Sequence, residues 1–192
     1  MPNPERKTVL EVIHWSYANL AMAHAAVNHK TEKYVMVHYM IRAKLYKGLQ
    51  SGTMNMGSIF ADEKIKLETG KICNYCGVGN LLSLDHIFPK RYGGEDNGDN
   101  LIYACKTCNS SKGKKDLMEW MKMRESFLPL MIIRRYLKLT FHYCLAHKLL
   151  DKKIEELAEM ELPFKIDSIP STYPKPNELI LSIEPKDNWN KN

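Results

Sequence analysis

The chain has 192 residues, 44% hydrophobic and 26% charged, enough apolar material for one real core and small appended lobes, which places it among soluble globular proteins. Its formal net charge of +6 favours an anionic partner, and the charge is uneven: residues 154–192 carry four Lys/Arg against eight Asp/Glu, opposing a basic body. A membrane span is excluded, because the apolar-rich stretch 127–150 holds Arg134, Arg135, Lys138 and His142 in its middle.

In the opening stretch Val9, Val12, Ile13, Leu20, Ala23 and Val27 recur at spacings of three, four and seven, the period of a helix. Glu11, His14 and His24 interrupt the same stretch as a signal-peptide core, so a cytoplasmic protein is expected. After a break at Asn28-His29-Lys30-Thr31, Thr31 is the expected N-cap of a second helix that runs to about Leu49 and stops at Ser51-Gly52. A shorter helical piece is predicted from Ser58 to Leu67, ended by Gly70. From Lys71 to Lys115 the composition turns to Cys, Gly, Asn and Asp, with short apolar runs at Leu81–Leu84 and Leu101–Ala104, which reads as two short strands joined by a long loop. Asp116 is the predicted N-cap of a helix through Arg124, and Pro129 sits near the start of a long apolar helix to about Lys148. Asp151 to Met160 adds a charged helical turn or two, and prolines at 163, 170, 174, 176 and 185 predict an extended tail. The aromatic residues of the flanking helices, such as Trp15, Tyr17, Tyr34, Tyr136 and Phe141, read as core and not as base-stacking platforms.

Four of the five cysteines form two C-x2-C knuckles, Cys73/Cys76 and Cys105/Cys108, separated by 28 residues; Cys144 stands alone in an apolar helical pattern. Two intervening residues let each pair turn both sulfurs toward one ion, and four thiolates complete the tetrahedral shell of structural zinc. With every position filled, the expected Zn2+ holds the fold and leaves the chemistry to other residues. A pair of redox C-x-x-C motifs is the alternative, which titratable disulfides without bound zinc would reveal.

Between the knuckles lie Leu84-Asp85-His86-Ile87-Phe88-Pro89, Gly93-Gly94 and Asn100-Leu101, and after the second comes Cys108-Asn109-Ser110-Ser111-Lys112. Asp85 and Asn109 offer hard oxygen ligands of the kind Mg2+ accepts, and His86 has the side chain suited to taking a proton from water near neutral pH. Such a set serves phosphodiester hydrolysis, which needs an activated water and a cation to neutralise phosphoryl charge. Neighbouring strand residues point to opposite sides, so a local twist or bulge near Pro89 is expected if Asp85 and His86 are to face one site.

This text resembles the HNH endonuclease family, whose ββα-metal core is often pinned by four zinc-binding cysteines; the likeness covers about Ile72 to Asp116. The resemblance implies that Asp85 and Asn109 hold the catalytic Mg2+ or Mn2+, that His86 is the general base, and that Asn100 braces the loop carrying the base. It further implies that Lys112 contacts phosphate and that cleavage leaves 5′-phosphate ends. Asn97 competes with Asn100 for the bracing role; Asn100 is favoured because it precedes the apolar run Leu101-Ile102-Tyr103-Ala104 into the second knuckle.

The expected fold is α+β: a small zinc-stapled ββα-metal core flanked by N- and C-terminal helical regions. The chain divides into an N-terminal helical region (1–70), the nuclease core (71–118), a C-terminal helical region (119–162) and a Pro-rich extended tail (163–192). The expected function is metal-dependent cleavage of nucleic acid, DNA in the first place, against the alternative of a zinc module that only binds. Lys112, Lys114, Lys115, Lys122 and Arg124, continued by Arg134, Arg135 and Lys138, form the basic run expected to contact phosphates. One core offers one active site, so cutting both strands calls for a homodimer or two successive nicks, and a partner protein from a defence system is a further expectation.

Overall fold

The computed structural model describes residues 8–57, 71–124 and 126–183. The predicted helix at Ser58–Leu67 lies outside the described residues.

Helix α1 spans Val9–Asn28 and starts at a capping box, in which Thr8 Oγ1 accepts from the Glu11 amide (3.3 Å) and Glu11 Oε2 from the Thr8 amide (3.1 Å). Helix α2, Met36–Gln50, packs on α1 and begins four residues later than Thr31 as N-cap would require. Thr31 Oγ1 is engaged elsewhere, donating to Ala26 O (3.2 Å) at the end of α1, and the entry to α2 is closed by His38 Nδ1 accepting from the Val35 amide (3.2 Å).

Strands β1 (Leu82–His86) and β2 (Leu101–Cys105) form an antiparallel pair whose register runs unbroken from Leu82 opposite Cys105 to His86 opposite Leu101. Helix α3, Lys106–Lys112, leaves β2 without a loop and packs against both strands, so the ββα unit is built from adjoining chain. Helix α4 (Leu117–Met123) follows, capped as expected by Asp116, whose Oδ1 accepts from the amides of Met118 (2.8 Å) and Glu119 (3.1 Å). Helix α5 (Leu130–Ala146) starts directly after Pro129 and packs on α1; helix α6 is the short Ile154–Ala158.

The fold is thus α+β, with two strands in a helical body among the described residues. One hydrophobic cluster runs through it, joining Val9, Ile13 and Tyr17 of α1 to Tyr75, Ile87 and Phe88 around β1, to Trp120, Ile133 and Tyr136 of α4 and α5, and to Phe164 and Ile169 beyond them. Among its described residues, the segment after α6 has no long helix, only two 3-10 turns at Ile166–Ser168 and Pro176–Glu178. It is strapped to the body: Trp15 Nε1 donates to Ser171 O (2.9 Å), Tyr34 OH to Pro174 O (2.7 Å), and the Leu130 and Met131 amides to Ile180 O and Leu181 O (2.9 and 3.0 Å). No helix of the described residues is long and apolar enough to cross a membrane.

Candidate metal centre and catalytic seam

The first knuckle turns because Gly77, at φ 79°, donates its amide back to Cys73 O (2.8 Å), in a left-handed conformation that favours glycine. The second sits where β2 becomes α3, and the Cys108 amide points at Cys105 Sγ (3.5 Å). These turns bring the sulfurs of Cys73, Cys76, Cys105 and Cys108 within 4.8 Å of one another, with Cys76 and Cys105 3.7 Å apart. That separation is far too long for a disulfide and close to the edge of a tetrahedron with metal–sulfur bonds of about 2.3 Å. Burial pushes the Cys73 and Cys108 thiols up, and the neighbouring sulfurs push Cys108 further. A divalent cation relieves that repulsion, so the donor set fits one. Arg124 adds a positive group at the rim, Nη1 lying 3.8 Å from Cys108 Sγ and the guanidinium over the Trp120 ring. Among the described residues no other cluster of His, Cys, Asp or Glu is grouped for a metal, and Cys144 is buried apart, its thiol raised by burial to about 12.

Beside this centre, the face of β1 that carries Ser83 and Asp85 meets α3. Asn109 Nδ2 donates to Ser83 Oγ (2.8 Å); one turn later Lys112 Nζ lies 3.3 Å from Asp85 Oδ1 and donates to His86 O (2.6 Å). Asp85 Oδ2 accepts from Tyr75 OH (2.8 Å), whose phenol is kept protonated by burial and by the carboxylate beside it. Lys112, expected to meet phosphate, is fully buried, and burial pulls its ammonium down while Asp85 opposes that shift. Asp85, Asn109 and Lys112 therefore share one seam.

His86 does not project into that seam. The expected bulge is absent from the β1–β2 ladder, so alternation holds, and the imidazole turns to the loop, with Nε2 2.8 Å from Asp96 Oδ1. Asp96 also accepts from Lys90 Nζ (3.0 Å), and its carboxyl is held below the usual range by Lys90 and then by His86. An ionised carboxylate only accepts, so Nε2 of His86 carries the proton, and Nδ1 bears the lone pair of the neutral ring.

Asn100 organises the loop between the strands. Its Oδ1 accepts from the Phe88 amide (2.7 Å), its Nδ2 donates to Phe88 O and Glu95 O (both 2.9 Å), and its own carbonyl accepts from the Ile87 amide (2.8 Å). Asn97, the competing asparagine, stays within the turn, its Oδ1 accepting from the Asn100 amide (3.1 Å) and its Nδ2 donating to Glu95 Oε2 (2.5 Å). Gly94 passes so close to this brace that a Cβ there would lie 1.9 Å from Phe88 O.

The basic run separates into two groups. Lys114 and Lys115 are exposed, whereas Arg135 and Lys138 are buried and so cannot contact phosphate as the sequence led one to expect. The Arg135 guanidinium instead donates from Nε to Asp99 O (2.5 Å) and from Nη2 to Gly98 O. Sequence reasoning missed Asp96, Ser83 and Tyr75 and gave Arg135 the wrong partner; only Asp96, an acid in a Gly/Asn loop ten residues after His86, left a trace that could have been read.

In the comparison with known families, residues 73–115 match the model of the HNH endonuclease family. No curated protein and no solved structure matches the chain.

Proposed function

Taking residues 73–115 as a nuclease core of the HNH type, we propose that this protein is a metal-dependent endonuclease hydrolysing DNA phosphodiester bonds. The observation that carries the reading is the seam between β1 and α3, where Asn109 meets Ser83 and Lys112 meets Asp85, with Asp85 next in sequence to a histidine whose ring is held by a carboxylate. The four cysteines hold Zn2+ as a structural ion.

The seam fits a hard cation. Asn109 is tied through its amide nitrogen to Ser83, which turns its oxygen free for a metal, and each oxygen of Asp85 keeps a second lone pair beyond those used by Tyr75 and Lys112. Asp85 and Asn109 would hold Mg2+ or Mn2+, whose charge offsets that building up on the phosphoryl group and the departing 3′ oxygen. His86 takes the proton of the attacking water on Nδ1 while Asp96 holds Nε2–H and stabilises the imidazolium that forms. Asn100 keeps the loop behind His86 in place, and Lys112 orients Asp85 and the His86 carbonyl from within.

Incubating the purified protein with supercoiled, linear and single-stranded DNA, with and without Mg2+ or Mn2+, tests the proposal. Cation-dependent nicking or cutting is expected. Binding of DNA without cleavage under any cation would convert the reading to that of a zinc-stapled binding module.

A further inference from the structure

From α5, Arg135 donates to two backbone carbonyls of the loop that faces His86. It is only 3% exposed, so its guanidinium is out of reach of a phosphate; its Nη2 also lies 3.9 Å from Asp99 Oδ1. The carbonyls it grips belong to Gly98 and Asp99, inside the turn from Asn97 to Asn100 that the Asn97 side chain closes from within. On one side of that turn stands Asp96, the partner of His86; on the other stands Asn100, the brace of Phe88 and Glu95. A planar fork can donate to two adjacent carbonyls at once, which a lysine ammonium on a flexible stem does not reproduce.

We propose that Arg135 is a positioning residue for the cleavage reaction: from helix α5, outside the segment that matches the nuclease family, it clamps the Gly98 and Asp99 carbonyls. That clamp holds the loop on which Asp96 receives Nε2–H of His86, and so fixes the orientation of the imidazole that serves as base. The inference rests on the nuclease reading for its kinetic consequence, and on geometry alone for the orientation of the ring.

The test compares the full-length, zinc-loaded protein with Arg135→Lys. Three readouts are taken: steady-state cleavage of DNA with Mg2+, the salt dependence of DNA binding, and the His86 ring signals in a long-range proton–nitrogen spectrum of protein labelled with 15N-histidine. Arg135→Lys should lower kcat roughly tenfold to a hundredfold, the scale of a small misplacement of a catalytic group, with KM unchanged. The salt slope should stay the same, and His86 should pass from a single Nε2–H tautomer to a mixture. Arg135→Gln, which retains one carbonyl donor, serves as second variant if lysine is not tolerated, and should show the same pattern. A salt slope lowered by about one in Arg135→Gln, which removes the charge, would assign Arg135 to phosphate and overturn the proposal. Unchanged kcat with an unchanged His86 spectrum would overturn it equally. If the parent protein cleaves no DNA, the nuclease reading fails by itself, and the tautomer mixture still decides for or against the clamp.

Discussion

His86 meets Asp96 through Nε2, which leaves Nδ1 as the nitrogen able to accept a proton from water. Replacing His86 by Ala should therefore reduce cleavage about a hundredfold or more while zinc content, fold and DNA affinity hold, and added Mg2+ or Mn2+ should not restore it. Full activity in His86→Ala, measured on the same DNA, would remove the histidine from the mechanism. The two proposed metal ligands differ in their surroundings and should differ as variants. Asn109→Ala loses an exposed contact to Ser83 and should respond to excess Mn2+ with partial recovery. Asp85→Ala also strips the buried Lys112 and Tyr75 of their shared partner, and breaking a buried pair by removing one member costs about 3–5 kcal/mol. Chemical denaturation should consequently show Asp85→Ala well below Asn109→Ala in stability.

Among the elements, the loop between β1 and β2 carries the tightest steric constraint. Gly94→Ala puts a methyl group against the Phe88 carbonyl and 3.0 Å from Asn100 Nδ2, so Phe88 and its brace must separate. A loss of about 1–3 kcal/mol in thermal unfolding is expected, together with reduced cleavage. The junction of α1 and α2 predicts a pH effect. Burial lowers His14 to about 4, and its Nδ1 accepts from Gln50 Nε2 (3.2 Å) across the two helices. Because the folded pKa is depressed, the neutral ring contributes stability above the unfolded value near 6.5, and that contribution is lost as pH falls toward 4. An NMR titration of the His14 ring should show a midpoint near 4, and a midpoint near 6.5 would contradict the burial. Element by element, what could be read in advance was what local chemistry decides: the Asp116 cap, the start of α5 after Pro129, the knuckles from their spacing. The start of α2 was misread because Thr31 Oγ1 spends its hydrogen bond on α1, and His38 caps through a side chain that no cap preference favours. Lys112 and Arg135 looked like surface cations in the sequence, since their partners lie 27 and 36 residues away.

For the molecule as a whole, the cysteine cluster and the common core should act together. Removing zinc with a chelator should unfold the β1–β2–α3 unit, because structural zinc contributes on the order of 10 kcal/mol of folding free energy in small sites, and circular dichroism with elemental analysis would show both losses. Retention of the fold without any bound metal would assign the four thiols to another use. Charge removal at the exposed Lys114 and Lys115 should weaken DNA binding and lower its salt slope for all sequences alike.

The strap formed by residues 171–181 has a consequence for engineering. It ties the entry of α5 to α1, and α5 in turn supplies Arg135 to the loop and Tyr136, whose hydroxyl donates to Asp116 Oδ2 (2.6 Å), to the capping residue of α4. A cassette cut at the limits of the family match, 73–115, would carry every residue proposed to touch the scissile phosphate. It would leave behind the scaffold that aims them, so grafted onto a foreign DNA-binding protein it should chelate zinc yet cut poorly, and portability would return only when α5 and its strap travel with it.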